Sequence, residues 1–181
     1  MSNEFKLREL IDIEFFKSIL EKFNEFHEFP TALIDNDGEI LIAIDWLEVC
    51  TNFHRSNPES LYFCDLSDTR ILNDFGESNV GISYTCPHGL INYSSPIIVN
   101  NQVIGKFQSG QYLRTKPDQE FYSNHAKKFN YDEVEYFKAL SKVKVLDENQ
   151  IQRFENLIIG LANIISDSAT RKFNEIKNLK K

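Results

Sequence analysis

Cys50, Cys64 and Cys86, together with His54, His88 and His125, are the residues whose types carry chemistry in this 181-residue chain. Cys50, Cys64, Cys86 and His88 would supply three thiolates and an imidazole, a donor set suited to zinc or an iron–sulfur cluster. The gaps between these cysteines, fourteen and twenty-two residues, are not the tight C-x-x-C clips that mark a metal site in sequence. The same cysteines can instead be small buried hydrophobes, or a reversible thiol pair. A second chemistry is nucleophilic: Cys86 with His88, His54 or His125 as base, and Asp65 or Asp68 to orient that base. The chain has no lysine-bearing glycine loop for phosphate, no H-E-x-x-H and no G-x-S-x-G, so the expectation is that it is not an enzyme.

The third chemistry is recognition, which needs an aromatic-lined hollow and a few convergent polar groups. Phe53, Phe63, Tyr84, Tyr93, Phe107 and Tyr112 are the candidate walls, with His54, Ser95, Gln108 and Gln111 as candidate donors and acceptors. Strict alternation along "GKFQSGQYL" puts Phe107, Ser109 and Gln111 on one face and Gln108, Gly110 and Tyr112 on the other. An amide beside a small serine has little use in plain packing, which makes the Gln111 face the one expected to look inward. The expected ligand contacts are therefore Phe53, His54, Tyr84, Cys86, Tyr93, Phe107, Ser109 and Gln111, with Cys50, Cys64, Cys86 and His88 as the alternative metal set.

The elements that must position these residues follow from periodicity. "DIEFFKSILEKFNEFHEF" repeats apolar residues at helical steps behind Asp12, a suitable N-cap, and Pro30 closes it. "TALIDNDGEILIAI" is two β runs around a tight turn. "DWLEVCTNFHRSN" reads as a helix with Trp46, Val49, Cys50 and Phe53 on one face, ended or redirected by Pro58. A short helix is expected over "SDTRILNDF", begun by Ser67 or Asp68, in the otherwise ambiguous segment from Glu59 to Val80. "GISYTC", "NYSSPIIVN" and "QVIGKFQSGQYL" are strands, the last two joined at Asn100 and Asn101. Gly105 and Gly110 inside the last run mark a bulge or a close approach. Two short helices follow, the first with Asp118 and Glu120 near its start.

From Asp147 an Asp-x-x-Gln capping box opens a stripe of Ile151, Phe154, Ile158, Leu161 and Ile165, extended by Phe173 and Ile176. This is either a core helix with a polar end or an output helix that pairs with a second protomer or a downstream module. The elements make an α+β chain, a mostly antiparallel sheet of about five strands flanked by helices with a long C-terminal helix. We expect one domain over 1–181, with a sensor core over 1–146 and the C-terminal helix over 147–181.

A net charge of −7 argues against nucleic-acid phosphate or anionic lipid as partners, although Lys172, Lys177, Lys180 and Lys181 cluster at the C-terminus. No apolar run is long enough for a membrane span, and the residues after Met1 have no signal-peptide core. Three widely spaced cysteines suit a reducing compartment. The expected location is the cytoplasm.

"WLEVCTNFHRSNPESLYFCDLSD", "YTCPHGLINYSSPIIVNNQVIGKFQSGQYL" and "PDQEFYSNHAKKFNYDEVEYFKAL" resemble successive signatures of the PocR sensory domain family. The resemblance runs from the first helix to Ala162. It implies a PAS-like ligand-binding module of the kind attached to histidine kinases, chemoreceptors and AraC-type regulators, in two-component and related signalling, with small organic compounds such as diols as ligands. It places Cys50, Cys64 and Cys86 on family cysteine positions, and Gly89, Pro96, Gly110 and Gln111 on its C-x-x-G-L, P-I and G-Q features. The cofactor stays unassigned, with zinc or an iron–sulfur cluster as the candidates.

Overall fold

The computed structural model describes residues 5–75 and 80–179. Lys180 and Lys181 of the basic C-terminal cluster, and positions 76–79 of the ambiguous segment, lie outside the described residues. A four-residue helix α1 (Leu7–Leu10) precedes α2 (Ile13–His27). The Asp12 side chain caps α2 by accepting from the Phe15 amide at 3.0 Å. Phe16 and Leu20 turn inward, while Ile19 and Phe26 stay exposed. Glu28, in the left-handed region at φ 50°, ends the helix two residues before Pro30.

Among the described residues, five strands form one antiparallel sheet in the order β2-β1-β5-β4-β3. They are β1 (Thr31–Asp35), β2 (Ile40–Ile44), β3 (Ile82–Thr85), β4 (Ile91–Val99) and β5 (Gln102–Tyr112). The first hairpin turns at Gly38, with φ 85°. The β4–β5 hairpin turns on Asn100 and Asn101 at φ 50° and 62°, the left-handed pair that a two-residue turn requires. Gly105 lets β5 lie close to β1, because a Cβ there would sit 2.6 Å from the Ile34 carbonyl oxygen. This is the α+β, PAS-like arrangement expected.

Two expected helices are present but differ in extent or in turn, for local reasons. The helix read over residues 67–75 is the second half of a longer one, α3 (Pro58–Asp74). Pro58 starts it rather than only closing what precedes, since its fixed φ suits the first helical turn and the Asn57 side chain accepts from the Glu59 and Ser60 amides. The helix read over "DWLEVCTNFHRSN" is instead a wide π turn, Val49–His54, with the Arg55 amide reaching the Cys50 carbonyl at 2.8 Å. Within it Cys50 Sγ lies 3.9 Å from His54 Nδ1.

The third deviation sits at the end of β5. Asn92 pairs with Gly110 while Ile91 pairs with Tyr112, so Gln111 is an extra, bulged residue at φ 59°. The alternation resets there. Gln108 and Gln111 share one face, whereas Phe107 and Tyr112 share the other.

That other face carries the larger core. The helix α6 (Glu148–Leu179), about 48 Å long, packs across β4 and β5. Its reciprocal cap joins the Asp147 amide to Gln150 and the Gln150 amide to Asp147, both at 2.9 Å. Ile151, Phe154, Ile158 and Ile165 are buried against Leu33, Tyr93, Phe107 and Tyr112, each contributing roughly 1.5–3 kcal/mol. Phe173 and Ile176 continue the stripe, Phe173 meeting Phe5 edge-on at 5.6 Å. A second core joins the π turn to α4 (Gln119–Lys128) and α5 (Glu133–Leu140) through Val49, Leu90, Tyr122, Tyr136 and Leu140. Among the described residues no helix is long and apolar enough to cross a membrane.

Candidate ligand cavity and histidine cluster

On the sheet face opposite α6, the sheet, α3 and the π turn line a partly open cavity of about 40 Å³. Its floor is β4 and β5. Gln108 Oε1 accepts from the Tyr84 hydroxyl at 3.0 Å and from Ser94 Oγ at 3.1 Å. Burial pushes the Tyr84 phenol well up, so it stays a donor. Gln111 Oε1 accepts from the Leu47 amide at 2.8 Å, and the Gln111 amide donates to Asn92 Oδ1 at 3.3 Å. The bulge thus aims Gln111 at the cavity and ties it to the chain that leads into the π turn.

The α3 wall is charged. Asp68, one turn after Cys64, accepts from Arg55 at 2.6 Å and from the fully buried Lys106 Nζ at 3.1 Å. Lys106 also donates to the Asp68 carbonyl. Burial lowers the Lys106 pKa while Asp68 opposes that shift. The Arg55 guanidinium lies over the Trp46 ring at 4.6 Å, which places an aromatic face and a cation on the same wall.

Cys50 and His54 from the π turn, and Cys86 and His88 from the loop after β3, complete the lining with Cys64. The three cysteines are free thiols. Burial raises the pKa of all three, Cys64 to about 12, so they are protonated at neutral pH. Behind this wall a histidine cluster forms. His88 Nδ1 and His125 Nε2 lie 2.7 Å apart, His88 Nε2 meets the Ser60 carbonyl at 3.1 Å, and His54 Nε2 meets the Tyr136 hydroxyl at 2.8 Å. Burial, the first cause for each ring, lowers His54 to about 2 and His88 and His125 to about 4. All three are neutral at pH 7.

Of the expected ligand contacts, His54, Tyr84, Cys86 and Gln111 line the cavity. Phe53 does not; it packs behind it against Tyr131 and Tyr136. Tyr93 and Phe107 belong to the α6 core, and Ser109 Oγ donates to the Pro30 carbonyl at 2.7 Å. The reason is the bulge, since alternation is valid only up to Ser109. Cys50, Cys64, Cys86 and His88 all reach the cavity, but the metal-ligating atoms gathered within 4.8 Å of one another among the described residues are those of His54, His88 and His125. Trp46, Arg55 and Lys106 escaped the sequence reading. A lysine amid strand residues on a buried face was the legible signal, because it demands a carboxylate partner.

Comparison with curated proteins and with solved structures found no match. Comparison with protein families matched residues 9–170 to the sensory domain found in PocR. That match spans most of the chain, which therefore belongs to the PocR sensory domain family.

Proposed function

We propose that this chain is a non-enzymatic, cytoplasmic sensor module that binds a small polar organic compound in the cavity between the sheet and α3. The observation that carries the reading is the convergence of Trp46, Tyr84, Gln108 and Gln111 on one hollow in a member of a sensory family. With both amide oxygens already accepting, the NH2 groups of Gln108 and Gln111 are the ends left to meet a ligand oxygen. A volume of about 40 Å³ holds about three water-sized groups, which suits a short alcohol or diol. A larger groove of about 640 Å³ between α3 and β3 shares Ser67 and Tyr84 with the cavity and is the natural entry route.

The signal would cross the sheet at the bulge. Gln111 faces the ligand, and its neighbour Tyr112 meets Phe154 of α6 edge-on at 5.8 Å. A ligand that prefers one setting of Gln111 shifts the population of α6 positions, and α6 hands that shift to a second protomer or to a kinase, chemoreceptor or regulator output. A thermal-shift screen of short alcohols and diols tests the binding step. We expect at least one compound to raise the melting temperature of the wild type and not that of Gln108→Leu; no response to any compound would contradict the reading.

A thiol-based metal or redox sensor is the second reading, favoured by three free thiols on one cavity. It predicts that Cys50→Ser, Cys64→Ser and Cys86→Ser abolish the response. The organic-ligand reading predicts that they preserve it.

A further inference from the structure

We propose that His54, His88 and His125 form a binding site for one divalent transition-metal ion of the zinc class, held by imidazoles and independent of the cysteines. Three separate elements deliver these rings: the π turn, the loop before β4, and α4. One nitrogen from each lies within 4.8 Å of the others. His54 and His88 are 1% exposed, so the rings are held in place rather than sampling solvent.

The hydrogen bonds assign the donor atoms. A carbonyl oxygen only accepts, so the Ser60 contact puts the His88 proton on Nε2 and leaves the Nδ1 lone pair pointing at His125. This N–H to carbonyl link is the outer support that metal-bound histidines use to fix ring orientation. Two ring nitrogens 2.7 Å apart share one proton, the His125 Nε2–H; a cation takes its place as that proton moves to His125 Nδ1, which leaves both rings neutral. With the Tyr136 hydroxyl oxygen accepting from His54 Nε2–H at 2.8 Å, Nδ1 carries the lone pair; in the metal-free protein it faces the Cys50 thiol at 3.9 Å, and it turns to the ion on binding as the third ligand atom.

Neutral imidazoles without a carboxylate in the set suit zinc, cobalt, nickel or copper ions over magnesium or calcium. Phe129 lies 4.7 Å from the His125 ring and Phe121 stacks on it at 5.5 Å, which gives that ring an apolar flank. The His54 and His88 rings stack at 4.2 Å and 16°, so capture of an ion requires one of the pair to tilt until both lone pairs converge. Three protein ligands leave a fourth position for water. Since His54 and His88 also line the ligand cavity, metal occupancy and cavity shape are coupled.

The test is a titration of the untagged, chelator-stripped 181-residue chain with Co2+, followed by displacement with Zn2+. The expected result is one ion per chain, with the visible absorption of nitrogen-ligated cobalt and no near-ultraviolet thiolate band. His88→Ala and His125→Ala should each bind at least about 100-fold more weakly, and Tyr136→Phe about tenfold more weakly, as for loss of an outer support. The variant carrying Cys50→Ser, Cys64→Ser and Cys86→Ser should bind like the wild type. His125 is only partly buried on α4, so His125→Ala keeps the test open if His88→Ala fails to fold. Absence of stoichiometric binding by the wild type would overturn the proposal. So would binding lost with the cysteines but kept in His125→Ala. Neither outcome touches the organic-ligand reading, which rests on thermal shifts measured without metal.

Discussion

Asp68 is the residue on which the cavity wall depends, because its one carboxylate pairs with both Arg55 and Lys106. Asp68→Ala strands the fully buried Lys106 without its carboxylate and should cost about 3–5 kcal/mol in urea denaturation. Lys106→Met, which removes the charge and keeps the stem, should cost far less; equal losses in the two variants would refute this role for Asp68. The cysteines make a second prediction at this scale. With burial raising Cys64 to about 12, native-state alkylation by iodoacetamide at neutral pH should be at least about tenfold slower than in urea. Rapid labelling of the folded protein would show an activated thiol instead. What could be read from the sequence here was residue type, not partnership: the cysteines and His88 stood out, while the Asp68–Lys106 pair joins positions 38 residues apart and only folding reveals it.

The elements that shape the site are the irregular ones. Gly110 sits where an added Cβ would come 2.5 Å from the Asn92 Cα, at φ 156°. Gly110→Ala should therefore cost about 1–3 kcal/mol and disturb the Gln111 bulge, read as a lower urea midpoint together with weakened ligand response. At the head of α6, Asp147→Ala should cost about 1 kcal/mol and leave ligand response intact, since the cap lies on the far side of the sheet from the cavity. Strands, hairpin turns and the long helix were legible because each repeats one period over several residues. The π turn was not, being a single-residue departure from a period, and for the bulge Gly110 marked a bulge or close approach without showing that Gln111 would be the extra residue. The turn and the bulge are also what places Cys50 beside His54 and Gln111 beside Gln108.

For the whole molecule, the sheet is a partition, with the cavity on one face and the apolar α6 core on the other. The histidine cluster gives the metal-free protein a pH dependence. Burial depresses His88 and His125 from the ordinary 6.5 to about 4, so below about pH 6.5 the unfolded chain takes up protons that the folded chain does not. Their contribution to stability is complete above that pH and is lost as the pH falls toward 4. Urea midpoints of metal-free protein should fall between about pH 7 and pH 4.5, and less steeply in His125→Gln; parallel profiles would contradict this. The central claim, that a small organic ligand occupies the cavity and moves α6 through the bulge, is tested most directly by 1H–15N NMR during titration with the compound giving the largest thermal shift. The account predicts saturable changes at the Trp46 indole and at the Gln108 and Gln111 side-chain amides, accompanied by changes in the α6 backbone around Phe154. Changes confined to surfaces away from these residues would contradict it.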